Sequence, residues 1–131
     1  MRTWIGRALI GAVLAMNLQC AVAFIINPEP FLPAFELAGV SGMAALRGVG
    51  VLFVMWSVPY CLALWHPAKY RLSLYEAIVM QFLGLAGETA IFLGLPLENQ
   101  ALRNSLLRFI LFDGGGWLAL LAAAWISRRA K

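Results

Sequence analysis

Charge is scarce in this chain. Of its 131 residues only 12% are Asp, Glu, Lys or Arg, about half the share of an ordinary soluble domain, whereas 63% are hydrophobic. A soluble domain of this size leaves too much surface exposed to hide so much apolar material, so lipid is implied as the solvent. Histidine occurs once, at His66, and cysteine twice, at Cys20 and Cys61. There is no CxxC pair and no zinc-ligand spacing, and no Ser–His–Asp or Cys–His set is placed for nucleophilic catalysis. The reading therefore assigns no metal, no cofactor and no catalytic residue. The net charge of +4 forms no basic stripe and has no stacking motif beside it, which argues against a nucleic-acid partner.

What the chain does have is four apolar runs, at roughly 4–26, 43–65, 72–95 and 105–126. Each is long enough to cross a hydrocarbon core of about 30 Å as a helix, the one spanning form open to so few segments. The predicted fold is all-α: residues 1–131 as a single bundle of four transmembrane helices. Its longest connection, 27–42, is rich in Pro (Pro28, Pro30, Pro33) and Gly, as a loop should be. Arg2, Arg7, Lys69, Arg71, Arg128, Arg129 and Lys131 cluster at one end of these runs, and Glu29, Glu36 and Glu98, with the single Arg103, at the other. The positive-inside rule then places both termini in the cytoplasm, and residues 27–42 outside a cell (inner) membrane. The stretch "MRTWIGRALIGAVLAMNLQCAVA" also fits a cleaved signal peptide, although its apolar run continues through Phe24, Ile25 and Ile26. With Cys20 toward the outer face and Cys61 toward the inner, no disulfide is expected and both read as buried free thiols.

Packing signals are small residues and one proline. Ala8, Gly11, Ala12 and Ala15 share a face of the first helix, Gly84 and Gly87 precede Glu88 on the third, and Gly114 to Gly116 should interrupt the fourth. Pro59 should kink the second helix and free a carbonyl near Met55. "LRGVGVLF" and "LRFILF" suggest a faint parallel repeat that pairs Arg47 with Arg108.

The stretch "LGLAGETAIFLGLP", residues 83–96, has one charge, Glu88, and no cation beside it. A charge at mid-bilayer costs about 2.5–3.5 kcal/mol or more, so Glu88 is either neutral or partnered. Counted from the outer ends of the runs at 1.5 Å per residue, Glu88 lies about 10 Å deep, Arg47 and Arg108 about 6 Å, and Asp113 about 13 Å. These four come from three helices and their charges sum to zero. They are read as one intramembrane polar cluster, with Arg offering its fork to each acid and with Gln81, Asn17 and Gln19 adding hydrogen bonds. The rival reading is structural: the arginines snorkel, and the cluster fixes helix register.

The segment "ALRGVGVLF" at 45–53, with the four-span layout and the Pro-containing outer loop, resembles the small DoxX-like membrane proteins. That resemblance implies a role beside membrane redox or quinone systems, sometimes as a subunit, and marks Arg47 as a position of interest. The leading functional expectation is a non-catalytic accessory subunit of a membrane complex, with a membrane-protein partner or a second copy of itself. The alternative is a binder or transporter of a small molecule, lipid, quinone or proton through the polar cluster. A membrane isomerase with Glu88 and Asp113 as acid and base ranks third.

Overall fold

The computed structural model describes residues 2–128. Arg129 and Lys131, counted in the orientation argument, lie outside the described residues. Among the described residues the chain forms five α-helices and one 3-10 helix: α1 (Arg2–Ile26), the 3-10 helix (Glu29–Phe35), α2 (Gly39–Trp56), α3 (Val58–Trp65), α4 (Arg71–Gly94) and α5 (Gln100–Arg128). Four segments are long and apolar enough to cross a membrane: Thr3–Ile26, Gly39–Trp65, Arg71–Gly94 and Gln100–Arg128. The second of these combines α2 and α3. The chain is a small integral membrane protein built as an all-α four-helix bundle.

The break between α2 and α3 has a local cause. Pro59 has no N–H to give to the carbonyl of Met55, and the chain turns at Ser57, two residues before it. The Ser57 N–H lies 3.1 Å from both the Phe53 and Val54 carbonyls, and its hydroxyl donates to Phe53 O at 2.7 Å. The three glycines at 114–116, by contrast, do not interrupt α5, which is continuous from Gln100 to Arg128. In lipid an unpaired peptide group costs several kcal/mol, so the helical ladder is kept where glycine alone would favour breaking it.

α1 packs against α2, α3 and α5, while α4 packs against α5 and α3. At the end carrying the termini this closes a ring around Ile10, Val13, Tyr60, Ala63, Leu74, Ala77, Leu120 and Ala123, all nearly or fully buried. The small-residue face expected on α1 is not the packed one. Ala8, Ala12 and Ala15 are exposed, and Ile10, Val13 and Leu14 point inward. Larger side chains gain more dispersion contact per residue at a helix interface. The exposed apolar faces, with Trp4, Trp65 and Trp125 near the terminal end, suit lipid contact. Cys61 is exposed and Cys20 half-buried, so the expectation of two buried cysteines holds for neither; both are free.

At the opposite end Phe24, Leu32 and Leu46 form a second core under the 3-10 helix, with Phe31, Phe35, Phe53 and Phe109 packed against it. Ser105 Oγ donates to Ala34 O, and Glu36 accepts from Asn99 Nδ2 and from Leu102 N at 3.3 Å. These bonds fasten the 3-10 segment to the start of α5. Two arginines close helix ends here. Arg47 Nε donates to Ile25 O at 3.2 Å, and Arg103 Nη1 to Phe92 O at 3.2 Å and Leu95 O at 2.8 Å. The last carbonyls of α1 and α4 lack helical partners, and a cation suits the negative end of the helix dipole. Both arginines follow Ala-Leu and precede a Phe by six residues, and those rings, Phe53 and Phe109, lie 6.1 Å apart. Arg103, rather than Arg108, thus does for the end of α4 what Arg47 does for the end of α1.

Candidate functional site

Gln81 sits near the middle of α4 and is 2% exposed. Buried amides must find partners on both sides, and this one does. Its Nε2 donates to Asp113 Oδ1 at 2.8 Å, and its Oε1 accepts from the Tyr60 hydroxyl, which also lies 3.3 Å from Ala77 O. The chain Tyr60–Gln81–Asp113 thus links α3, α4 and α5. Two glycines make it fit. A Cβ at Gly84 of α4 would strike Asp113 Oδ2, and a Cβ at Gly116 of α5 would lie 2.8 Å from Gln81 Nε2. Each helix omits a side chain where its neighbour inserts a polar one.

Glu88 lies two turns along α4 from Gln81. Its Oε2 is buried and finds no hydrogen-bond donor. The side chain it meets is that of Asp113. Both groups are acceptors when ionised, so a hydrogen bond between them exists only with a proton on one carboxyl. The site is therefore a carboxyl pair held at one side by the Gln81 amide and, at Glu88, lacking a donor.

The structure brings Glu88, Asp113, Asn17 and Arg108 to the wall of one cavity of about 220 Å³. A second cavity, of about 260 Å³, shares Asn17, Phe53, Glu88 and Asp113 and adds Gln81, Trp56, Gly84 and Gly87. Arg108 does not pair with either acid; its Nη2 donates to Ser105 Oγ at 3.1 Å, toward the 3-10 helix. Arg47 is apart from this group, exposed and engaged with α1. Gln19 is exposed and lines neither cavity. The expected interlocked set of two arginines and two acids thus resolves into a carboxyl pair, one arginine beside it and one elsewhere. Depth along a helix is readable from the sequence, but its rotation is not, and rotation decides where Arg47 and Gln19 point. Tyr60, Phe53 and Trp56 are site residues that the sequence reading did not pick out. Tyr60 carried a signal, as a hydroxyl inside an apolar run that has to find a partner.

Among the described residues no three His, Cys, Asp or Glu side chains converge as a metal set. Chemically the pair can accept N–H or O–H donors and hold a proton. The two carboxyls lie together on the walls of both cavities. Comparison with protein-family models, with curated proteins and with solved structures finds no match.

Proposed function

We propose that this integral membrane protein binds, within the membrane, a small molecule that donates a hydrogen bond or carries a cation, using the carboxyls of Glu88 and Asp113. The observation behind this reading is the buried, donor-less Oε2 of Glu88 set against a second carboxyl on a cavity wall. An acceptor left unsatisfied in a buried site costs about 1–3 kcal/mol, and a ligand N–H or O–H removes that cost. Helix register alone would be served by the Tyr60–Gln81–Asp113 chain without Glu88. That difference favours the binding reading over a purely structural accessory subunit. The DoxX-like resemblance and its link to quinone systems add no residue to this site beyond Arg47, which stands away from it. Within this proposal the end with the 3-10 helix faces outward and the termini are cytoplasmic, since Arg7, Lys69, Arg71 and Arg128 gather at the terminal end.

Native mass spectrometry of the protein purified from its own membranes in mild detergent tests the proposal. The expected result is a chain, alone or self-associated, that retains a small-molecule adduct. A bare chain in fixed stoichiometry with a second protein would favour the accessory-subunit reading instead.

A further inference from the structure

Toward the termini the site is closed by Tyr60, Ile10, Ala63, Ala77, Leu120 and Ala123, each 0% exposed. Toward the other end a further cavity of about 390 Å³ continues from Cys20, Arg108 and Phe109 to Phe24, Phe31 and Phe35 under the tethered 3-10 helix, with Arg108 on its wall. Two openings face sideways. One lies between α2 and α4, whose packing partners are other helices: α2 rests on α1, α3 and the 3-10 helix, and α4 on α3 and α5. Phe53 and Trp56 form one lip of this opening, and Leu83, Gly87 and Ile91 form the other. Leu83 and Ile91 are more than half exposed, so in a bilayer the mouth meets hydrocarbon. The other lateral opening lies between α1 and α5, where Met16, Cys20 and Phe112 line the wall with Arg108.

The two mouths differ in charge. Arg108 stands in the α1–α5 mouth, whereas no basic residue lines the α2–α4 mouth. Both lead to the same carboxyls. A cation approaching through hydrocarbon is repelled at the first and unopposed at the second. A phosphate between the ligand's nitrogen and its hydrocarbon would face two acids, so the carboxyl pair disfavours a zwitterionic headgroup. We propose that the ligand is a lipophilic amine, an N–H-bearing ammonium joined directly to an apolar body, and that it enters from the bilayer between α2 and α4. This rests on the carboxyl pair being the binding site.

The test uses the full chain in phospholipid nanodiscs, with three probes of one chain length: dodecylamine, dodecyltrimethylammonium and dodecanoate. Dodecylamine should bind at least about tenfold more tightly than the quaternary ion, which has the charge but no N–H, and dodecanoate should not bind. Gly87→Leu narrows the α2–α4 mouth at a position where a Cβ meets nothing within 4 Å, so the fold tolerates it. It should slow association of dodecylamine by about tenfold or more, and Met16→Trp, in the other mouth, should not. Equal binding of the three probes would overturn the ligand class. Slowing by Met16→Trp and not by Gly87→Leu would overturn the route while leaving the site in place. Amine binding that Glu88→Gln leaves unchanged would remove the site itself, and with it the functional proposal above.

Discussion

Asp113 of α5 lies over Gly84 of α4, its Oδ2 occupying the space that a side chain at residue 84 would fill. The carboxyl therefore reaches Gln81 and Glu88 because α4 has no Cβ at that point. Gly84→Ala should displace a flexible carboxyl and leave the backbone in place. A modest stability loss of about 1 kcal/mol is expected, with loss of the Gln81–Asp113 hydrogen bond and of ligand retention. Thermal unfolding in detergent, run beside ligand retention, separates the two effects. A variant that retains ligand like the parent would show that Asp113's position does not matter.

Gly50 provides the contrast. A Cβ there would meet Ile25 Cγ1 at 2.8 Å and the backbone oxygen of Ala21 at 2.9 Å. Backbone cannot swing aside, so Gly50→Ala should force α1 and α2 apart and cost about 1–3 kcal/mol. The midpoint of thermal unfolding should fall further than for Gly84→Ala. An unchanged midpoint would contradict the close packing of these two helices.

Tyr60→Phe removes the donor to Gln81 Oε1 inside a fully buried site. The amide oxygen is left unsatisfied, at a cost of about 1–3 kcal/mol. Tyr60→Phe should therefore be clearly less stable, whereas Tyr75→Phe, at an exposed position, should differ little. Equal stability of the two variants would remove Tyr60 from the polar chain.

Glu36 has a left-handed backbone, with φ of 54°, and its carboxylate accepts from Leu102 N in the first turn of α5 and from Asn99. It caps α5 from a distant segment, as a cap residue does from within. Glu36→Ala should cost about 0.5–2 kcal/mol and raise amide hydrogen exchange in the 3-10 segment. Exchange that stays unchanged there would mean that the Ser105–Ala34 bond alone holds the segment.

Pro59 follows the break between α2 and α3, and α2 packs on α1, α3 and the 3-10 helix. With Pro59→Ala, residue 59 regains an N–H that can reach the Met55 carbonyl, and α2 and α3 become one straighter helix. Spin labels at Leu52 and Leu93, both exposed, in a chain with Cys20 and Cys61 replaced by Ala, should report a changed α2–α4 distance relative to the Pro59 parent. An identical distance distribution would show that Pro59 does not set the α2–α4 spacing.

The helices were legible because hydropathy over 20 or more residues has one solution in lipid, and the break at Ser57 because proline lacks a donor. The site was legible mainly in height. Counting residues put Glu88, Asp113 and Asn17 at similar depth, the seven-residue spacing put Gln81 on the face of Glu88, and the structure brings them to common cavity walls. The same count put Arg47 there too, although its helix turns it toward the last carbonyls of α1. Which way a side chain points depends on packing between helices, and that follows from shape, such as the paired absences at Gly84 and Gly116. The glycine run at 114–116 misled for a related reason: a helix in lipid keeps its ladder, and Gly116 serves to admit Gln81, not to end α5.

The carboxyl pair of Glu88 and Asp113 is read as a binding site. The most direct test compares parent, Glu88→Gln and Asp113→Asn by native mass spectrometry and thermal unfolding, each purified identically from the host membrane. Both amides keep the size of the acid they replace. The account predicts a small-molecule adduct on the parent, its loss in both variants, and unfolding midpoints close to the parent's in the ligand-free state. Variants that keep the adduct, or that unfold much earlier while the parent carries no adduct, would contradict it and leave Glu88 and Asp113 as structural groups.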